Sequence, residues 1–162
     1  MLSGASMKLL FLCTHNACRS ILAEAITRKI AGDRLDVASA GSHPAGQVHP
    51  LTLQHLLQRN YSIEGLTSQS WDDLKDFAPD IVITVCDSAA GETCPLWFGD
   101  TVKAHWGLPD PTSQENAAQV DVLFEQVIHR IERRIQALMK IKFEQLSCEQ
   151  LKKELNALGD VI

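Results

Sequence analysis

Lys8-Leu9-Leu10-Phe11-Leu12-Cys13-Thr14-His15-Asn16-Ala17-Cys18-Arg19-Ser20-Ile21 decides the fold of this chain. Its first five residues form an apolar run that does not alternate between faces, as expected of a strand covered on both sides. From Ile21 onward, Leu22, Ala25, Ile26 and Ile30 recur at helical spacing until Gly32 ends the pattern. The loop between strand and helix, Cys13 to Cys18, brings several backbone N–H groups towards one point, and the helix dipole adds partial positive charge there. A tetrahedral oxyanion suits that position, held by Thr14, His15, Asn16, Ala17, Cys18 and Arg19. Cys13 at the floor is expected to have its thiol pKa lowered by the loop amides, the helix N-terminus and Arg19, which makes it a nucleophile at neutral pH. Arg19 offers a planar fork for two oxygens of the anion. Ser20 is placed to donate a hydrogen bond to the thiolate. Asn16 is the loop residue best able to take a left-handed backbone where no glycine is present.

The rest of the sequence is consistent with one enzyme-sized domain. At 162 residues the chain is long enough for a single core. Its net charge of −5 argues against nucleic acid or an anionic membrane as the main partner. Five cysteines are an odd number without small-scaffold spacing, which points to reactive thiols in a reducing compartment, with cytoplasm as the default. The apolar run after Lys8 is too short for a signal peptide, and no window approaches a membrane span. Residues 1–6 read as an N-terminal extension or cloning scar, 7–140 as the catalytic domain, and 141–162 as a C-terminal helical extension.

Taken in order, Leu35–Gly41 reads as a second strand, and Pro50 opens a second helix with Leu53, Leu56 and Leu57 on its buried face. Ser70 caps a short helix with acidic Asp72 and Asp73. Asp80–Val85, β-branched and continuous, is the central strand, and Thr101–Trp106 the fourth. Thr112 or Ser113 is expected to cap a long helix carrying Val120, Phe124, Val127, Ile131, Ile135 and Leu138. Ser147 with Gln150 forms a capping box opening a last helix with Leu151, Leu155 and Leu158. This alternation predicts an α/β fold: a four-stranded parallel sheet flanked by helices on both faces, with an added C-terminal helix. Ligands of such sheets bind beyond the carboxyl ends of the strands, where Cys13, Cys86 and the segment after His105 fall.

The stretch from Cys13 to Ala25 resembles the phosphate loop of the low-molecular-weight tyrosine phosphatase superfamily, which includes the thiol-coupled arsenate reductases. The resemblance implies that Asp110, followed by Pro111, is the general acid; taken alone, Asp before Pro is most often a turn. It also implies that Cys86 and Cys94, in V-C-D-S…T-C-P, are a redox pair like that of the reductases. Their spacing is not that of a zinc site, and His105 alone does not complete one. Cys18 reads as a small helix-start residue or a protective partner for Cys13, and His15 as part of the mouth. Asn16, Glu24 and Ser39, with Ser70 and Asp72, resemble positions that bind potassium in some reductases; no other metal and no bound cofactor are expected.

Three functions follow as expectations. The first is an arsenate reductase in which Cys13, Cys86 and Cys94 form a disulfide relay, regenerated by thioredoxin or by glutathione and glutaredoxin. The second is a phosphotyrosine phosphatase hydrolysing a Cys13-phosphate. Against that reading, Thr112-Ser113 stands where many family phosphatases carry an aromatic pair, although Trp97 and Phe98 could build a substrate wall. The third is a non-catalytic oxyanion or redox sensor.

Overall fold

Two strands whose successive residues are all buried set the architecture. The structure, a computed structural model, describes residues 6–91 and 101–162, with the side chains of residues 88 and 90 left aside. Strands Met7–Leu12 (β1), Leu35–Ala40 (β2), Ile81–Thr84 (β3) and Val102–His105 (β4) are all parallel, in the order β2-β1-β3-β4. Leu9 to Leu12 and Ile81 to Thr84 are each buried without interruption. Because neighbouring strand residues point to opposite faces, this requires helices on both sides of the sheet. The expected fold class is therefore the observed one.

The helices are Arg19–Ala31 (α1), Pro50–Gln58 (α2), Asp87–Ala90 (α3), Ala117–Met139 (α4) and Cys148–Leu158 (α5). Gly32 ends α1 with φ 56°, a left-handed value that glycine takes without a Cβ penalty. Ser147 caps α5 in the expected capping box, and Leu151, Leu155 and Leu158 are buried. That helix covers β4, where the Trp106 indole N–H donates to Leu155 O at 2.7 Å.

Two local expectations are corrected. Helix α4 is capped by Asn116, whose side chain accepts from Ala118 N and Gln119 N, rather than by Thr112 or Ser113. Those two residues belong to a single 3₁₀ turn, Pro111–Ser113, capped by Asp110. On α2 the buried residues are Thr52, His55 and Leu56, while Leu57 is 56% exposed. The helix is rotated because Thr52 Oγ1 donates to Ala17 O at 3.1 Å and the His55 ring stacks on Phe124, 4.2 Å between centroids.

The strand order places the site. The order in which strands are added reverses between β1 and β3, the switch point at which a crevice opens beyond the strand ends. Leu12 pairs with Thr84 and Thr84 with His105, so Cys13, Val85–Cys86 and the 106–110 segment leave the sheet at one level.

Candidate active site

The six residues after β1 form a loop, and three of its carbonyls accept hydrogen bonds from the segment that follows β2. His43 N donates to Thr14 O, Ala45 N to His15 O and His49 N to Ala17 O, at 2.9, 2.9 and 3.0 Å. All described peptides are trans. In a trans peptide the N–H is opposed to the C=O, so the N–H groups of His15, Asn16 and Cys18 turn inward. Helix α1 starts at Arg19 with no side-chain cap and no acid in its first turn, so its N-terminal donors add to the same concavity.

Asn16 holds the loop in shape. It adopts φ 47°, as expected, and is fully buried. Its Nδ2 donates to Ser20 Oγ at 2.8 Å and Ser39 Oγ at 3.0 Å, while Oδ1 accepts from Gln69 N at 2.9 Å. Ser39 Oγ donates onward to Glu24 Oε1 at 2.6 Å, and Glu24 is paired with Arg28. Burial pushes the Glu24 carboxyl above its usual range, against the pull of Ser39 and Arg28. The three potassium candidates thus meet, but in the structure they bond to one another and Arg28 brings the positive charge. Ser70 caps the 3₁₀ turn Trp71–Leu74. Ser20 Oγ, expected to donate to the thiolate, accepts from Asn16 Nδ2, which leaves its own hydrogen to donate.

At the floor, two thiols are in hydrogen-bond contact. Cys13 and Cys86 are both buried and hydrogen-bonded to each other. Thr14 N and Ala89 N each lie 3.4 Å from Cys86 Sγ, and Thr14 Oγ1 lies at 3.7 Å. The hydrogen bond from Cys13, then these amides and the hydroxyl, lower Cys86 to about 5 against the cost of burial. Cys13 is held well above the ordinary thiol range, first by its bond to Cys86 and then by burial, with Arg19 and the His15 amide pulling the other way. The sequence expectation of a lowered Cys13 thiol differs from this direction: Thr14 N and Ala89 N donate to Cys86, which is the lowered thiol of the pair, while Cys13 is raised despite the His15 amide. Cys18, raised to about 12 by burial, stays a neutral thiol.

Over this floor stand Arg19 and Asp110. Arg19 Nη1 donates to Leu108 O at 3.1 Å, and Nη2 lies 4.0 Å from Asp110 Oδ2. Asp110 Oδ1 accepts from Thr112 N at 2.9 Å and Thr112 Oγ1 at 2.7 Å, which fixes the carboxylate and leaves Oδ2 towards Arg19. His15 is exposed at the mouth, its Nδ1 3.1 Å from His43 O. Cys94, Trp97 and Phe98 lie outside the described residues. Sequence reasoning missed Gly41. A Cβ there would stand 2.4 Å from Thr14 O and 2.6 Å from Cys13 O, a close approach signalled only by a glycine closing a strand. Among the described residues, no group of three or more His, Cys, Asp or Glu could hold a metal.

A parallel sheet with a Cys-x5-Arg loop at its switch point and a carboxylate 4.0 Å from the arginine defines a class of α/β proteins with a buried thiol at the strand end. The chain belongs to the Low molecular weight phosphotyrosine protein phosphatase family, whose model matches residues 8–157. It is 40% identical over 106 residues to "Arsenate reductase 1" of Bacillus cereus, covering 65% of this chain and 77% of that protein. Among solved structures it resembles the thioredoxin-dependent arsenate reductase of Corynebacterium glutamicum, at TM-score 0.65 and 32% identity, over 86% of this chain. It spans 63% of that chain's length, under two thirds. A structure described as an arsenate reductase in the phosphate binding state aligns at TM-score 0.68 and 26% identity, covering 83% of this chain and 97% of that one.

Proposed function

We propose that the protein is an arsenate reductase working through a thiol relay. The observation that carries this reading is Cys86, hydrogen-bonded to Cys13 and supplied with its own N–H donors at the anion loop. Simple ester hydrolysis gives no role to a second thiol there, whereas a relay requires one. Arsenate enters the nest of N–H groups and Arg19. The Cys13 proton passes to Cys86, Cys13 Sγ forms a bond to arsenic, and an arsenic–oxygen bond breaks as Asp110 protonates the departing oxygen. No electrons have yet changed owner.

Cys86 then returns its proton to an oxygen of the adduct and attacks Cys13 Sγ. The S–S bond forms, the electron pair of the S–As bond goes to arsenic, and As(V) leaves as As(III). Cys94 attacks Cys86, freeing Cys13, and an external dithiol reduces the 86–94 bridge. The dithiol is of the thioredoxin class, a reading supported by the thioredoxin-dependent relative; glutaredoxin with glutathione is the competing donor. Residues 7–140 act as the catalytic body with 141–162 as its extension, in the cytoplasm. No described helix is long and apolar enough to cross a membrane.

The test is steady-state arsenate reduction with thioredoxin, its reductase and NADPH, beside aryl phosphate hydrolysis. Cys13→Ser should abolish both. Cys86→Ala should lose reduction and keep whatever hydrolysis the wild type has. Cys94→Ala should release about one arsenite per enzyme and stop, as a broken relay requires. Arsenate turnover surviving in Cys86→Ala would sink the relay and leave a phosphatase-type thiol enzyme.

A further inference from the structure

One buried cation on α4 takes no part in the reaction as described. Arg134 is 3% exposed, and its donors go to backbone oxygens rather than to a carboxylate. Nε donates to Val161 O at 2.9 Å, Nη2 to Gly159 O at 2.8 Å and Nη1 to Gly107 O at 3.4 Å. A guanidinium that satisfies three carbonyls at once holds three segments in one geometry, because its donors form a rigid planar fork. Here the segments are α4, the chain after α5, and the turn leading to Asp110. Burial is also the main reason that its pKa falls to about 10, with Arg130 adding to the effect.

The turn so gripped is also held from above. Arg19 binds Leu108 O, one residue after the carbonyl that Arg134 binds, and Leu108 N donates to Val85 O at 3.0 Å. Below it, Gly159 lies so close to β4 that a Cβ would stand 2.7 Å from His105 O and 3.2 Å from the Trp106 ring. Asn156 Oδ1 accepts from His105 N at 3.3 Å. The end of α5 is therefore seated on the strand end from which the acid segment departs.

We propose that Arg134 is a positioning residue: by holding residues 159–161 against the Gly107 carbonyl, it makes the C-terminal segment part of the support that sets the reach of Asp110 over the anion loop. This rests on the reading of Asp110 as the general acid. Arg134 touches neither anion nor thiol, so its effect passes through the 107–110 turn alone.

The experiment is a double-mutant cycle read in single-turnover arsenite formation, with wild type, Arg134→Met, Asp110→Asn and the double variant. Arg134→Met should slow the step about tenfold where Asp110 is present, since small misplacements of a catalytic group are costly. In the Asp110→Asn background it should change the rate by less than about twofold, because the residue it positions is already disabled. Gly159→Ala, which lifts the segment without touching charge, should repeat the pattern. Arg134→Lys serves if Arg134→Met does not fold. An equal loss in both backgrounds, or no loss in either, overturns the proposal.

Failure of the underlying reading looks different: wild type would form no arsenite, or Asp110→Asn would match it. Amide deuterium exchange then reads the support directly. Faster exchange at Gly107, Leu108 and Asp110 in Gly159→Ala and the Arg134 variants upholds it, and unchanged exchange overturns it.

Discussion

The backbone N–H of Thr14 points at the sulfur of Cys86, 3.4 Å away and 72 positions later in the chain. The contact exists because β1 and β3 are neighbours in register, and it lowers the Cys86 thiol. Thiolate ultraviolet absorbance should therefore show Cys86 titrating at about 5. Cys86→Ser should remove it, and Cys13→Ala should move it upward by deleting the thiol that donates to Cys86. A titration that survives in Cys86→Ser would place the charge elsewhere.

The same pair makes stability depend on pH. The folded pKa of Cys86 lies below its ordinary 9.0, so its contribution is complete above that value and is lost as pH falls through about 5. Cys13 acts in the opposite sense: held protonated, it contributes fully below 9.0, and that contribution fades at higher pH. Denaturant midpoints measured from pH 9 to 5 should decline less in Cys86→Ser than in wild type; parallel curves would contradict this.

Gly41→Ala is expected to damage the loop more than the fold. The added Cβ meets two backbone oxygens, those of Thr14 and Cys13, which cannot rotate away as a side chain would. Phosphate or arsenate binding by calorimetry should weaken at least about tenfold, since the N–H groups lose their common focus. Wild-type affinity in this variant would show that the strand end yields without disturbing the loop.

Asn16 combines a left-handed backbone with three side-chain hydrogen bonds, two of them buried. Asn16→Ala should cost about 2–4 kcal/mol in denaturant unfolding, from lost hydrogen bonds and the strain of a Cβ in that region. Asn16→Gly, relieved of the strain, should be milder by about 1 kcal/mol. Equal losses in the two would remove the backbone from the account.

Adjacent leucines on α2 should behave differently. Leu56 is 0% exposed and Leu57 56%. Leu56→Ala should cost about 2–5 kcal/mol, as buried truncations do, and Leu57→Ala less than about 0.5 kcal/mol. Chemical denaturation of both checks the helix rotation set by Thr52 and His55.

Much of the fold can be read locally. The continuous apolar runs at 8–12 and 81–84, the glycine after α1 and the capping box before α5 each encode their element in a few neighbouring residues. Boundaries failed once through a neighbouring residue and once through a contact remote in sequence. Thr112 and Ser113 look like caps until Asp110 takes Thr112 into its own turn, and Leu57 looks buried until the His55–Phe124 stack turns the helix.

The sequence by itself determined the loop: a thiol, an arginine and a left-handed asparagine within seven residues, between a strand and a helix, whose backbone focuses donors on an anion. Only the tertiary structure decided that Cys86 meets Cys13 and which segments pack against the turn before Asp110. Those depend on strand order and on the approach of chain segments remote in sequence. Electrostatic and hydrogen-bonding influence on a buried group comes from whatever lies a few ångströms away, and chain distance does not specify that.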